Sequence, residues 1–314
     1  MQSTRLLQRF CASPMHYQMM SSTQFLIPSA HRNFGANEKL LKTRMKSVNN
    51  IRKITKAMKM ISSMKMKGEL RRLQAGREFG ISAVDMMFKT DHYMTRRMVD
   101  TPASPKELIV PISSDKGLCG GINSGIVRDV REYMSHRDTS KCEIFCIGEK
   151  ATGALARRFK DQLKMSISDI STPYNYPTVM AISEHIIQAS QSHEKITVFY
   201  NEYKSAIATV IRQMELMPRA RFLDTLKFAK LYEQAQPDKN TSNPALYELY
   251  FTSNLWVALL NNSCSEMSAR MNAMENASKN AGEILDALTL QYNKARQARI
   301  TMELVEIISG ASAL

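Results

Sequence analysis

Proline is missing from two long stretches of the chain, residues 29–101 and 245–314. Inside a helix, proline removes a hydrogen bond and clashes with the preceding turn, at a cost of about 3 kcal/mol or more. A very long helix therefore has to exclude it. Ordinary globular helices run roughly 8–20 residues, and a periodic pattern well beyond that points to a coiled coil. The C-terminal stretch carries such a period. Met267, Met271, Met274, Ser278, Ala281, Leu285, Leu288, Tyr292, Ala295, Arg299, Met302 and Val305 step by four and three, which is a heptad seam. Ser278, Ala281, Ala295 and Arg299 make it a poor leucine zipper, but small seam residues let a second helix come close. As one helix, 245–308 reaches ~95 Å. The N-terminal stretch predicts an apolar stripe at Leu41, Met45, Val48, Ile51, Ile54, Met58, Ile61 and Met64. Gly68, Gly76 and Gly80 predict bending or fraying in its second half.

The residues between the two stretches have to return the chain, so the long helices are expected to pair antiparallel. The intervening part reads as α/β. Buried-strand runs at 107–112, 142–147, 165–170 and 195–200 alternate with helical patterns at 122–136, 149–160 and 178–192, and 206–217 reads as extended. Strands alternating with helices imply a mostly parallel, Rossmann-like sheet. The expected fold class is thus α/β, with a long antiparallel coiled coil of the N- and C-terminal helices. The expected layout is a leader over 1–34, the first long helix over 35–101, the α/β domain over 102–217, a loop-rich connection over 218–243 marked by Pro218 and Pro237, and the last long helix over 244–314.

Charge is distributed very unevenly. The net charge is +14, and residues 38–77 alone hold 13 Lys or Arg against Glu38 and Glu69. Residues 1–34 contain Arg5, Arg9 and Arg32 and no acid, the composition of a mitochondrial presequence, with an expected cut near Phe34-Gly35. The sequence holds no apolar run of the ~18 residues that a membrane span needs, so membrane association is expected to be peripheral. The five cysteines are scattered, with no CxxC pair, and suggest neither a disulfide framework nor a zinc site. No cofactor is expected.

The segment Ser113-Ser-Asp-Lys-Gly-Leu-Cys-Gly-Gly-Ile-Asn123 follows the first predicted strand and opens a helix, where a dinucleotide loop sits in a Rossmann unit. It contains no GxGxxG and no GK[ST], so it reads as a tight turn rather than a phosphate cradle. Cys119 has no neighbouring His in sequence and no local nucleophile signature. The basic helix over 38–77 admits several readings: a nucleic-acid stripe, an anionic-membrane contact, attraction to an acidic protein surface, or a merely solvated face. It contains no aromatic residue, which argues against base stacking. An α/β nucleotide-binding enzyme and a basic coiled-coil nucleic-acid binder remain alternative classes on composition alone.

Particular segments go further. Ile300-Thr-Met-Glu-Leu-Val-Glu-Ile-Ile-Ser-Gly-Ala-Ser-Ala313, Ser268-Ala-Arg-Met-Asn-Ala-Met-Glu-Asn-Ala277, Arg52-Lys-Ile-Thr-Lys-Ala-Met-Lys-Met60 and Ser114-Asp-Lys-Gly-Leu-Cys-Gly120 resemble, in the same order, the terminal helices and central loop of F-type ATP synthase gamma subunits. The resemblance implies a non-catalytic central rotor shaft at the matrix side of the mitochondrial inner membrane. It implies the alpha and beta subunits of the hexamer, the c-ring, and the delta and epsilon central-stalk subunits as partners, and no nucleic acid. It also implies partner-contact or coupling roles for Met58, Lys53, Lys56, Lys59, Arg270, Gln297, Thr301 and Glu303. For Arg270, Gln297 and Thr301 the role is contact with the beta subunits or stabilisation of the shaft. Asp115, Lys116, Gly117, Cys119 and Gly120 carry the central-domain loop without an evident chemical duty.

Overall fold

The computed structural model describes residues 31–77, 106–226 and 239–313. Residues 1–30 of the expected leader, and 78–101 of the first proline-free stretch with Gly80, lie outside the described residues. The chain divides into two compact units, Met45–Leu288 on the one hand and Met1–Arg44 with Thr289–Leu314 on the other.

The unit Met45–Leu288 is organised on a five-stranded sheet of order β3-β2-β1-β4-β5. The strands are β1 (Glu107–Pro111), β2 (Cys142–Ile147), β3 (Leu163–Ile167), β4 (Lys195–Tyr203) and β5 (Thr209–Leu216). The first four are parallel, with Ile109 opposite Ile144 and Val110 opposite Val198. β5 joins β4 as an antiparallel hairpin, so the sheet is mostly parallel with one antiparallel edge. Alternation along the strands directs side chains to two faces. Ile109, Ile144 and Phe199 meet α2 (Ile122–Ser135) and α3 (Glu149–Leu155) through Ile126, Val130 and Leu155. Leu108, Val110, Ile196 and Val198 meet α4 (Tyr176–Ala189) through Val179, Ile182 and Ile186.

That second face is completed by the last helix, α6 (Lys239–Ser312). Tyr247, Phe251, Leu255 and Leu259 belong to the same core as Val110 and Val198. The early part of α6 is therefore a layer of the α/β module as well as the start of a long helix. The connection expected as loop over 218–243 is partly helical, because α5 (Arg219–Leu226) turns Phe222 into this core, and α6 begins before Pro244. Pro244 forgoes one helical hydrogen bond near the helix start, and the fully buried Tyr247 and Phe251, one and two turns later, hold the segment in place.

The first helix, α1 (His31–Arg77), runs antiparallel to α6 within the unit Met45–Leu288. Lys59 Nζ meets Glu275 Oε1 at 3.0 Å, Ser263 Oγ donates to Glu69 Oε2 at 3.2 Å, and Arg77 Nη2 donates to Asn261 Oδ1 at 3.1 Å. The second unit shows its own pairing of the two helices, with Arg299 Nε donating to Glu38 Oε2 at 2.7 Å. Burial along α6 follows the heptad seam as far as Met302, whereas Val305, the last predicted seam position, is more than half exposed. Between 285 and 302 the positions withdrawn from solvent are Leu285, Leu288, Thr289, Tyr292, Ala295, Arg299 and Met302.

The stripe predicted for α1 departs from the seam halfway. Leu41, Met45 and Val48 are partly buried, but Ile51, Ile54, Ile61 and Met64 are each at least half exposed. After Val48 these apolar residues step by three, three, four, three and three, short of the 3.5-residue average that keeps a stripe on a seam. Thr55, Ser62, Glu69, Leu73 and Gly76 occupy the buried positions instead. Thr55 Oγ1 satisfies itself on the carbonyls of Ile51 and Arg52, both at 3.0 Å. α1 stays helical through Gly68 and Gly76. A Cβ at Gly76 would lie 2.6 Å from Leu260 Cδ1, so this glycine serves the close approach of α6 rather than a bend.

Candidate functional site

The face of α1 turned away from α6 has an unusual composition. Its two acids from 38 to 77 are both turned towards α6: Glu38 is held by Arg299, and Glu69 is buried between Arg72 and Ser263. Burial alone would raise the Glu38 carboxyl, but hydrogen bonds from Arg299 and Tyr292 and the nearby guanidinium charges hold it below the usual carboxylate range. Every exposed charge of α1 from 38 to 77 is consequently Lys or Arg. Among these cations stand Ile51, Ile54, Met60, Ile61 and Met64, all at least half exposed. Of the residues singled out by sequence, Lys53 and Lys56 lie on this exposed face. Lys59 is partly buried and pairs with Glu275, whose carboxyl it holds below its ordinary pKa.

Met58 lines a cleft of about 680 Å³ together with Asp115, Lys116 and Gly117 of the central loop and Arg270 of α6. The fold thus gathers three groups of residues that are far apart in sequence. Arg270 itself is only 9% exposed. Its Nη2 meets Glu266 Oε1 at 2.5 Å and donates to the carbonyls of Gly117 at 3.3 Å and Lys116 at 3.4 Å. The Arg270 side chain is thus turned inward, onto Glu266 and the central loop. Burial raises the Glu266 carboxyl, opposed by Arg270. Glu266 was not singled out by sequence, although its spacing of four from Arg270 is a legible helical pair.

The polar side chains of the central loop hold the turn itself. Asn123 Nδ2 donates to Ser114 Oγ at 2.7 Å and to Cys119 Sγ at 3.2 Å. Asp115 Oδ1 accepts from Glu149 N and Ser113 Oγ from Ala151 N, both at 3.0 Å, so the loop satisfies the first amides of α3. Gly120 takes the left-handed conformation at φ 63°, and so does Leu118, also at φ 63°, which is left exposed. The four described cysteines are free and buried, and burial pushes the Cys146 and Cys264 thiols up to about 12.

Gln297, Thr301 and Glu303 belong to the other unit and are exposed. Thr301 Oγ1 donates to the Gln297 carbonyl at 2.9 Å, and Glu303 accepts from Arg299 Nη1 at 2.6 Å. Beyond them Leu304, Val305, Ile307 and Ile308 are each more than half exposed. Among the described residues no helix is long and apolar enough to cross a membrane.

Comparison with known proteins gives a consistent set. The family model described as ATP synthase matches residues 37–314. The chain is 34% identical over 305 residues to the mitochondrial ATP synthase subunit gamma of Drosophila melanogaster, covering 94% of this chain and 99% of that one. It is 37% identical over 287 residues to the corresponding protein of Ipomoea batatas, covering 88% and 84%. Among solved structures it is similar to a chain of the central stalk and c-ring of the Tetrahymena thermophila mitochondrial ATP synthase, with 42% identity, a TM-score of 0.65, and coverage of 72% of this chain and 99% of that chain. A chain of the OSCP/F1/c-ring structure of the Euglena gracilis mitochondrial ATP synthase shares the fold, with a TM-score of 0.74 at 21% identity over 89% of this chain and 95% of that chain.

Proposed function

The chain belongs to the gamma-subunit family of ATP synthases, and we propose that the acid-free, cationic and apolar face of α1 is the surface through which it passes torque to the catalytic ring. It is the central rotor shaft of the mitochondrial enzyme, at the matrix side of the inner membrane, and it performs no chemistry itself. The proton-driven c-ring turns the shaft, and the shaft's unequal faces drive the nucleotide sites of the surrounding alpha and beta subunits through different affinities.

The carrying observation is the composition of that face: exposed Lys and Arg, exposed Ile and Met, and no exposed acid from 38 to 77. A rotating contact must attract without locking. Hydrophobic attraction is non-directional. Cations facing acidic loops attract over roughly 8 Å at physiological salt, whereas fixed bidentate pairs would add a preferred angle. Turning Glu38 and Glu69 inward keeps like-signed charge on the outside. The exposed Leu304, Val305, Ile307 and Ile308 followed by Ser309, Gly310, Ala311 and Ser312 suit a smooth apolar sleeve by the same reasoning. Met58 lines the same cleft as Arg270 and the central loop. The test is native purification from mitochondrial membranes through a tag on this chain. Recovery of alpha, beta and c subunits supports the reading, and their absence from an intact, folded preparation overturns it.

A further inference from the structure

The segment Asn261-Asn-Ser-Cys-Ser-Glu-Met-Ser268 is mostly polar, yet all eight of its residues are buried. A helix that is polar all round is ordinarily solvated, so enclosure on every side needs partners on every side. They come from three separate elements. Towards α1, Ser263 Oγ donates to Glu69. Towards the central loop, one turn further on, Arg270 donates to the Lys116 and Gly117 carbonyls. Towards the β4–β5 hairpin the bonds are densest. Asn201 Nδ2 donates to Asn262 Oδ1 at 2.8 Å, and Ser265 Oγ donates to the Asn201 carbonyl at 3.1 Å. Ser268 Oγ and Asn272 Nδ2 both donate to the Ala206 carbonyl at 2.7 Å.

We propose that this polar collar is the torque joint of the rotor, where rotation of the α/β module is handed to α6 through directional bonds to the hairpin. The inference rests on the rotor reading above. Interdigitated apolar packing already seats the early part of α6 on the sheet, and the hydrogen bonds add a preferred angle that non-directional apolar attraction lacks. Hydrogen bonds weaken steeply once the donor angle falls below about 120°, so twisting α6 inside the collar breaks several at once. Two donors on one carbonyl, from residues four apart on α6, fix the hairpin in both azimuth and height. An apolar sequence would have filled the same space with less risk of unpaired groups, which makes the polar choice informative.

The test uses the assembled complex, immobilised by its catalytic ring, with a bead attached to the α/β module through an added exposed cysteine. The reporter is the angular spread of the bead while the enzyme pauses without nucleotide. With the natural chain the bead must first rotate on ATP; if it does not, the rotor reading itself fails. In a Ser265→Ala, Ser268→Ala, Asn272→Ala triple variant that still assembles and hydrolyses ATP, the angular variance is expected to rise at least twofold. Unchanged variance overturns the joint. A second variant keeps the proposal testable if the first fails to assemble: Ala206→Cys with Ser268→Cys, compared before and after oxidation to the disulfide. A rigid joint predicts the same rotation rate in both states, and arrest on oxidation would mean that the hairpin moves against α6 in each turn.

Discussion

Removing the guanidinium of Arg270 tests how α6 and the central loop are held together. Arg270 and Glu266 are both nearly enclosed, and their contact is 2.5 Å. Breaking a buried pair by deleting one partner costs about 3–5 kcal/mol, because the remaining charge stays desolvated. The two carbonyl bonds, at 3.3 and 3.4 Å, are long and contribute at the weak end of the usual range, about 0.5 kcal/mol each. Arg270→Met, which keeps apolar volume, should therefore lose about 4–6 kcal/mol at neutral pH, read from urea unfolding of the purified chain at constant m. The loss should depend on pH in a defined direction. Burial already raises the Glu266 carboxyl, and Arg270 opposes that rise. Without Arg270 the folded carboxyl binds protons more tightly than the unfolded one. Stability of the variant then falls as pH rises from the ordinary Glu value through the raised folded value, and recovers on acidification. Adding Glu266→Gln should restore part of the loss. A deficit below about 1 kcal/mol that is flat between pH 5 and 8 would refute this reasoning.

Gly148 sits at φ 99°, and a Cβ there would lie 2.3 Å from the Ser113 carbonyl oxygen, so Gly148→Ala should cost about 3 kcal/mol or more in thermal or urea unfolding. Ile54→Ser, Ile61→Ser and Met64→Ser together change exposed positions and should move chain stability by less than about 0.5 kcal/mol each. If partners bury them at about 1.5–3 kcal/mol apiece, assembly with the catalytic ring should weaken by more than tenfold, measurable by reconstitution from purified subunits. The His193 imidazole is fully enclosed, 3.4 Å from Glu143, with Lys106 and Lys164 on the same carboxylate. Burial lowers its pKa, partly offset by Glu143 and reinforced by Lys106. The unfolded chain then takes up the proton first, and stability falls as pH drops below about 6.5. His193→Leu should flatten the midpoint-against-pH curve between 7 and 5.5, and an unchanged slope would assign the acid sensitivity elsewhere.

Much of the fold was legible because it rests on periodicity. The proline gaps gave the two long helices, and the alternation of apolar strand runs with helical patterns gave a mostly parallel sheet. The α6 seam from Leu285 to Met302 was readable position by position, since heptad spacing is a property of the sequence alone. What was not legible depended on partners brought together by the fold. The α1 stripe seemed continuous as a list of apolar residues, yet Ile51, Ile54, Ile61 and Met64 face outward while Thr55, Ser62 and Glu69 face α6. Hydrophobicity assigns the inside only when there is one interface, and under the proposed reading this shaft has two. Gly76 read as a helix weakener, whereas Leu260 makes it a point of close approach. The enclosure of the run Asn261–Ser268 was not legible because its hydrogen-bonding partners lie some 60 to 200 residues away, at Asn201, Ala206 and Glu69. At the site, the motif residues Met58, Lys116 and Arg270 converge on one cleft. The inward turn of both α1 acids could only be seen with α6 in place.

The most direct measurement of the central claim is rotation of this chain itself. The complex is fixed by its catalytic ring, a bead is attached to an exposed residue of the α/β module, and ATP is supplied. The account predicts unidirectional, stepwise turning that stops when ATP is removed. A bead that stays still on complexes that are hydrolysing ATP would contradict it.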